Sequence, residues 1–226
     1  MSPLQRERLI TNKTIYYNIL TVDIWGNRND NIYAVGNALE DSTGKVKSLI
    51  MHYDGNKWNY GLLPIYELQF FSIRKGNSDS KYFLIGYNDV LARANFYEFD
   101  GQNITLIPVG DETNSINKAI TLLDGIIFFN TEKVIYKCVN GSFQYLTNLK
   151  NTNADGIKFW GRNEKDFFIQ TQNGIGHYNG DNLETLFIIK GNFGIFDGLI
   201  LDNDIYFIGY DRDTFKFFLI HGISKN

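Results

Sequence analysis

Residues 23–58 decide the fold. They open as Asp23-Ile24-Trp25-Gly26, cross the polar run 27–31, and continue as Ile32-Tyr33-Ala34-Val35-Gly36. After a second polar stretch they return as Ser48-Leu49-Ile50-Met51-His52-Tyr53-Asp54-Gly55 and then Asn56-Lys57-Trp58. The apolar runs are rich in β-branched and aromatic residues, have strand length, and are bounded by Asn, Asp and Gly. Asn and Asp bond their own backbone in turns, and Gly takes φ > 0 without steric cost, so Asp54-Gly55 reads as a hairpin. No window carries the i, i+3, i+4, i+7 spacing of an amphipathic helix. The unit is therefore a four-stranded antiparallel meander, with strands A, B, C and D.

The unit repeats. The glycine closing strand C recurs at Gly55, Gly101, Gly141, Gly180 and Gly222, at spacings of 46, 40, 39 and 42 residues. Strand B returns independently at residues 32–36, 82–86, 126–130, 167–170 and 205–209. Two anchors of different composition keep one period, which is the mark of a repeat architecture. The Trp25-Gly26 of strand A comes back as Trp160-Gly161, while Ile73-Arg74 takes its place in the second repeat. Strand D is expected at 57–63, 103–109, 142–147 and 183–189.

Trp-Gly, Asn-Asp-Asn-Ile-Tyr-Ala-Val-Gly and His-Tyr-Asp-Gly-Asn-Lys-Trp together resemble the repeat of bacterial β-propeller proteins of the kelch-like and BNR-like group. The resemblance covers nearly the whole chain and is sharpest in the first and fourth units. It implies a propeller with one four-stranded blade per repeat, and it implies no single activity, because propellers host unrelated functions. Leu91-Ala92-Arg93-Ala94 and Phe215-Lys216-Phe217-Phe218 are similar to fragments of the repeat in five-bladed sugar-binding propellers, the tachylectins.

The expected fold is an all-β, five-bladed propeller forming a single domain over 1–226. Its blades fall at about 19–63, 68–109, 116–148, 154–189 and 193–221. The fifth repeat has no strand D, whereas residues 13–19 precede the first strand A as each D precedes the next. Residues 13–19 are thus expected to close the ring as the outer strand of the last blade, covering its edge. The other reading of 13–19 is the last strand of a removed blade.

Composition narrows the function. Net charge is −3, from 22 basic and 25 acidic residues without a basic stripe, which argues against nucleic acid. No apolar run approaches the length that spans a bilayer. Residues 1–9 do not read as a signal peptide, and an exported or cell-surface location is favoured over the cytoplasm. A monomer without cofactors is expected. Cys138, the single cysteine, reads as an inert strand residue.

His52 and His177 stand three residues before the strand C glycine, and His221 one residue before it, in another slot. No His/Cys/Asp cluster has ligand spacing, so no metal site is expected. The polar residues of the innermost strands are Asp23, Ser72, Lys118, Lys158 and Asp197. A glycosidase would need two of Asp23, Asp155 and Asp197 to converge. The B–C loops, 37–47 and 87–93, are longest in the first two repeats, which makes Asn88 and Arg93 contact candidates; Trp58 is another, because it begins a strand D, where partial exposure is expected. The leading reading is a non-catalytic module binding a carbohydrate or protein partner through Asp23, Trp58, Lys158, Asp197, Asn88 and Arg93. The alternatives are a hydrolase working through axial carboxylates and a structural spacer of a larger surface protein.

Overall fold

A computed structural model describes residues 7–10, 14–66, 68–77, 81–109 and 118–223. The chain is all-β, with no helix among the described residues, and its five antiparallel sheets are five blades of the β-propeller class. It divides into two compact units, 1–75 with 79–120, and 76–78 with 121–226.

The first unit holds two sheets. The first runs β1 (Glu7–Ile10), β2 (Thr14–Arg28), β3 (Asn31–Glu40), β4 (Val46–Tyr53) and β5 (Trp58–Tyr66). The second runs β6 (Leu68–Arg74), β7 (Tyr82–Asn88), β8 (Arg93–Phe99) and β9 (Ile104–Ile107). Val35 and Ile50 of the first sheet pack on Leu68, Phe70, Ile73 and Leu84 of the second.

The second unit takes most of the third sheet, β10 (Lys118–Leu123), β11 (Ile126–Thr131), β12 (Val134–Val139) and β13 (Ser142–Asn148); the division falls within β10. The fourth sheet is β14 (Ala154–Asn163), β15 (Asp166–Thr171), β16 (Gly174–Tyr178) and β17 (Leu183–Ile188). The fifth is β18 (Phe193–Ile200), β19 (Asp204–Asp211) and β20 (Lys216–Ile223). In β15 the pleat sends Phe167 and Ile169 into the core shared with the third sheet, and Phe168 into the core shared with the fifth. A strand packed on both faces is a continuous apolar run, which is why strand B was the clearest repeat in the sequence. Cys138 is buried in β12.

The expected closure by residues 13–19 is overturned. Residue 13 lies outside the described residues, and Thr14–Arg28 is one continuous strand. It pairs with β1 and, from Tyr17↔Glu40 to Arg28↔Asn31, with β3. β20 pairs with β19, and no other strand is placed beside it among the described residues. Strand B of the first blade is ten residues long, so segment 14–20 serves as an extension of strand A. A hairpin neighbour needs a far shorter loop closed than does a strand at the other end of the chain.

The same extension shortens the first B–C loop to 41–45; residues 37–40 and 46–47 are strand. The second is 89–92, and the fifth sheet's, 212–215, is of equal length, so the expected asymmetry is slight.

The repeat glycines do two jobs. Gly55, Gly101 and Gly180 take φ of 95°, 102° and 102° in the C–D turns. In each, the preceding Asp54, Asp100 or Asn179 side chain accepts the amide hydrogens two and three residues on. Gly222 is not their counterpart, because it lies inside β20 paired with Ile205. Gly36 serves a close approach: strand A bulges opposite it between Thr21 and Asp23, and a Cβ at Gly36 would stand 1.9 Å from the Leu20 carbonyl oxygen.

Two expectations follow. Gly36→Ala should cost at least about 3 kcal/mol, and Gly44→Ala, in open space at φ +66°, about 1 kcal/mol; urea melts check that order. The backbone amides of Lys57 and Asn56, in that order, hold the Asp54 carboxyl at about 2, and those of Asn103 and Gln102 hold Asp100 at about 2. Depressed carboxyls stabilise the turns fully above their unfolded value of about 3.9, and that support fades as pH falls through the folded values. NMR titration should give both midpoints near 2, and midpoints near the unfolded value would mean open turns.

Candidate functional site

Strand A carries a polar residue immediately after its bulge. Asp23↔Val35, Ser72↔Ile85 and Asp197↔Ile208 are each the first pair past the register shift. Within the first unit, Asp23 Oδ2 accepts the Ser72 hydroxyl at 3.0 Å, the Ile73 amide at 3.0 Å, and Arg74 Nη1. The carboxylate thus ties the inner strand of one blade to that of the next. Lys118 stands 5.4 Å over the Phe96 ring. Within the second unit, Lys158 Nζ reaches the Phe196 carbonyl at 3.5 Å. Asp197 Oδ1 accepts Trp160 Nε1 and its neighbour's amide, Gly198 N, both at 2.9 Å. Asp155 is exposed in β14. Asp23→Ala strands three donors, the Ser72 hydroxyl, the Ile73 amide and Arg74, at a partly buried site, and should lower stability by about 2 kcal/mol; a chemical melt measures it, and no change would deny the tie its role.

The Trp-Gly motif occurs twice and is filled differently. In the fourth sheet Trp160 packs edge-on to Phe207 at 5.6 Å and is covered by Gly198, where a Cβ would come within 2.9 Å of Trp160 Cγ. Arg162 then donates to the Leu201 and Asp202 carbonyls at 3.3 and 3.0 Å. Beside the first sheet's Trp25, the position matching Asp197 is Ser72 of the second sheet, whose hydroxyl is given to Asp23. Trp25 meets Tyr82 edge-on at 5.6 Å. Its surroundings open into a shallow cavity of about 490 Å³ lined by Ile24, Trp25, Gly26, Asn27, Arg28, Asn29 and Ile32. Arg28 lies at the rim, paired through two hydrogen bonds of 2.8 Å with Asp30. Asn27 Oδ1 accepts from Asn31 at 3.0 Å.

The remaining candidates lie apart from this cavity. Trp58 is half-buried on Ala34, Leu49 and Met51, with the Tyr53 ring 5.4 Å away. Asn88 and Arg93 pair across the base of the second B–C hairpin. Asn88 Oδ1 accepts the Leu91 amide at 2.8 Å, and Arg93 Nε is buried with no hydrogen-bond partner among the described residues.

The histidines share one structural slot, and His221 belongs to it. Each faces an aromatic residue of strand B across the ladder: Tyr33↔His52, Phe168↔His177 and Tyr206↔His221. Ring centroids are 4.3, 4.7 and 4.5 Å apart. Each Nε2 reaches the first residue of strand B, at Asn31, Asp166 and Asp204, over 2.9, 2.8 and 2.6 Å. The glycine count misplaced His221 because Gly222 is not a turn glycine. Desolvation alone would raise the Asp166 carboxyl, but the hydrogen bonds and charges of Arg162 and His177 outweigh it and hold it below its ordinary value. The carboxylate before the aromatic of strand B was visible in the sequence as Asp166-Phe167-Phe168 and Asp204-Ile205-Tyr206; only the ladder register links it to strand C. Arg28 and Asn29 belong to the polar A–B turn 27–31 that is legible in the sequence, whereas Ile24 and Ile32 carried no signal beyond their nearness to Trp25.

Among the described residues no group of three or more His, Cys, Asp or Glu is placed to hold a metal ion, and no helix is long and apolar enough to cross a membrane. No protein-family model and no curated protein matches the chain.

Proposed function

We propose that the chain is a non-catalytic β-propeller module that binds a carbohydrate at the Trp25 cavity of its first blade. The cavity itself carries the reading. An indole and two Ile side chains form an apolar floor, and Asn27, Arg28 and Asn29 supply polar groups at the rim. Ligand sites combine an apolar lining with a few convergent polar groups, and a pyranose has that same division between its C–H faces and its hydroxyls. The contrast with Trp160 supports it, because the same motif is occupied by Asp197 and Gly198 in the fourth blade.

The non-catalytic part rests on how the acids are used. Asp23 is committed to three donors of the next strand, and Asp197 to the Trp160 indole. A general acid or nucleophile needs its carboxyl directed at a substrate.

A glycan array with the full chain tests the proposal. Binding to a defined glycan should fall at least tenfold in Trp25→Ala. The exposed rim variants Arg28→Ala and Asn29→Ala, which touch no core, should weaken it while leaving the melt unchanged. Absence of any glycan binding, or binding indifferent to all three variants, counts against the site.

A further inference from the structure

The B–C hairpin of the second blade carries a cation that the described residues leave unmatched. Arg93 opens β8 opposite Asn88, the last residue of β7. By alternation it shares a face with Tyr97 and Phe99, which pack in the core between the first two sheets. Its Nε is buried without a hydrogen-bond partner, the one such side-chain atom among the described residues. The guanidinium as a whole has neither hydrogen bond nor ion pair among those residues. By contrast Arg28, Arg74, Arg162 and Arg212 hold Asp30, Asp23, Asp166 and Asn192. Burial raises the Tyr97 phenol above its ordinary value, and the Asn95 hydrogen bond and the Arg93 charge oppose that rise, so the guanidinium lies near the phenol.

The other hairpins show what such a cation faces. Where strand B ends, the first blade sets Glu40 against Lys45, the Glu40 amide donating to the Lys45 carbonyl at 2.9 Å. The fifth sets Asp211 against Lys216. The Thr214 hydroxyl and amide, and with them the Lys216 charge, hold the Asp211 carboxyl below its ordinary value. In the second blade the cation remains, but Asn88 stands at the place of the acid. Asn88 Oδ1 accepts the Leu91 amide at 2.8 Å, the same loop contact that Asp211 Oδ1 makes with the Asp213 and Thr214 amides. The amide therefore keeps the turn and omits only the charge, and Asn88 Nδ2 has no acceptor among the described residues. The second sheet's own carboxylates are engaged elsewhere: Asp89 with Gln69 through both oxygens, Glu98 with Lys81, and Asp100 with its own turn.

We propose that Arg93 and Asn88 bind the carboxylate of a small ligand at the B–C end of the seam between the first two sheets. Arg93 and Asn88 Nδ2 present only donors, so the group they take is an acceptor. The guanidinium is always charged and is part-buried here, where it attracts an anion more strongly than it would in open water. Cations withdrawn from water are ordinarily paired. The edge of a guanidinium meets both oxygens of a planar carboxylate in parallel. Directly opposed side chains of an antiparallel ladder start about 4.5–5.5 Å apart at Cβ, so Asn88 reaches the same carboxylate. All of these residues belong to the first unit. The inference does not depend on the carbohydrate reading, which concerns a cavity of the first sheet.

Proton–nitrogen NMR spectra of the full chain titrated with acetate test it, with the Arg93 Nε–H and the Leu91 backbone amide as reporters. Acetate should shift both saturably. Sodium chloride at equal ionic strength should not, and inorganic phosphate should bind at least tenfold more weakly. Arg93→Lys keeps the charge but lacks the two-donor edge; read at the Leu91 amide, it should weaken acetate binding at least tenfold with the fold intact. Asn88→Asp supplies the carboxylate from the chain itself. It should raise the melting midpoint and lower acetate affinity at least tenfold. Reporters indifferent to acetate, or following chloride equally, overturn the inference. So does an Asn88→Asp variant that binds acetate as the wild type does. Phosphate bound as tightly as acetate assigns the site to phosphoryl groups, and the carboxylate reading fails.

Discussion

Strand B is apolar on both faces where it is packed between two neighbouring sheets, as β15 is. That constraint shapes the rest. Phe167 and Ile169 serve one core of the fourth sheet and Phe168 the other. Val35 is fully buried, and so are Leu84 and Phe129. The hydrophobic contribution of one Phe or Ile buried in this way is about 1.5–3 kcal/mol, so a two-faced strand carries more of the blade's stability than any other. It also leaves no room for polar side chains at mid-strand, and these are pushed to the strand ends and to the flanking strands.

Those displaced polar groups hold neighbouring strands and blades together. Asp23 gathers the amide and side chains of the second blade's inner strand, and Asn130 donates to the Ile157 carbonyl at 2.7 Å. Gln170 accepts the Ile195 amide at 2.8 Å from the same strand-end position. Where that position is Gly36 instead, the bulged backbone of strand A fills the space a side chain would have taken. The histidines belong to the same economy of structure: each cross-braces strand C to the start of strand B while its ring stacks on the strand's aromatic. Groups that look like candidate chemistry in a list of residues are, in three dimensions, mostly satisfied by one another. A buried polar group without such a partner costs more than the bond contributes.

An exception to these rules is where interaction is expected. Trp25 repeats a motif whose other copy is covered, and it opens on a cavity instead. It is a small concave site with a polar rim, the combination that suits a small polar ligand.

Alternation, turn chemistry and the period of Asp/Asn-Gly were sufficient, read along the chain, to establish an all-β repeat of five blades and to bracket most strands. These are local properties: a pleat repeats every two residues, and a left-handed turn needs its glycine wherever it lies. Pairing partners were not legible in the same way. Segment 14–20 has the composition of an outer strand, but the length of β3 recruits it into strand A, and no property of the segment alone records that. The slot shared by His221 and His177, the saturation of Asp23, and the difference between Trp25 and Trp160 all depend on residues 11 to 51 positions apart meeting across a ladder or a blade interface. Only the tertiary structure decided them, because register and packing between sheets follow from the mutual fit of whole surfaces, not from any one stretch.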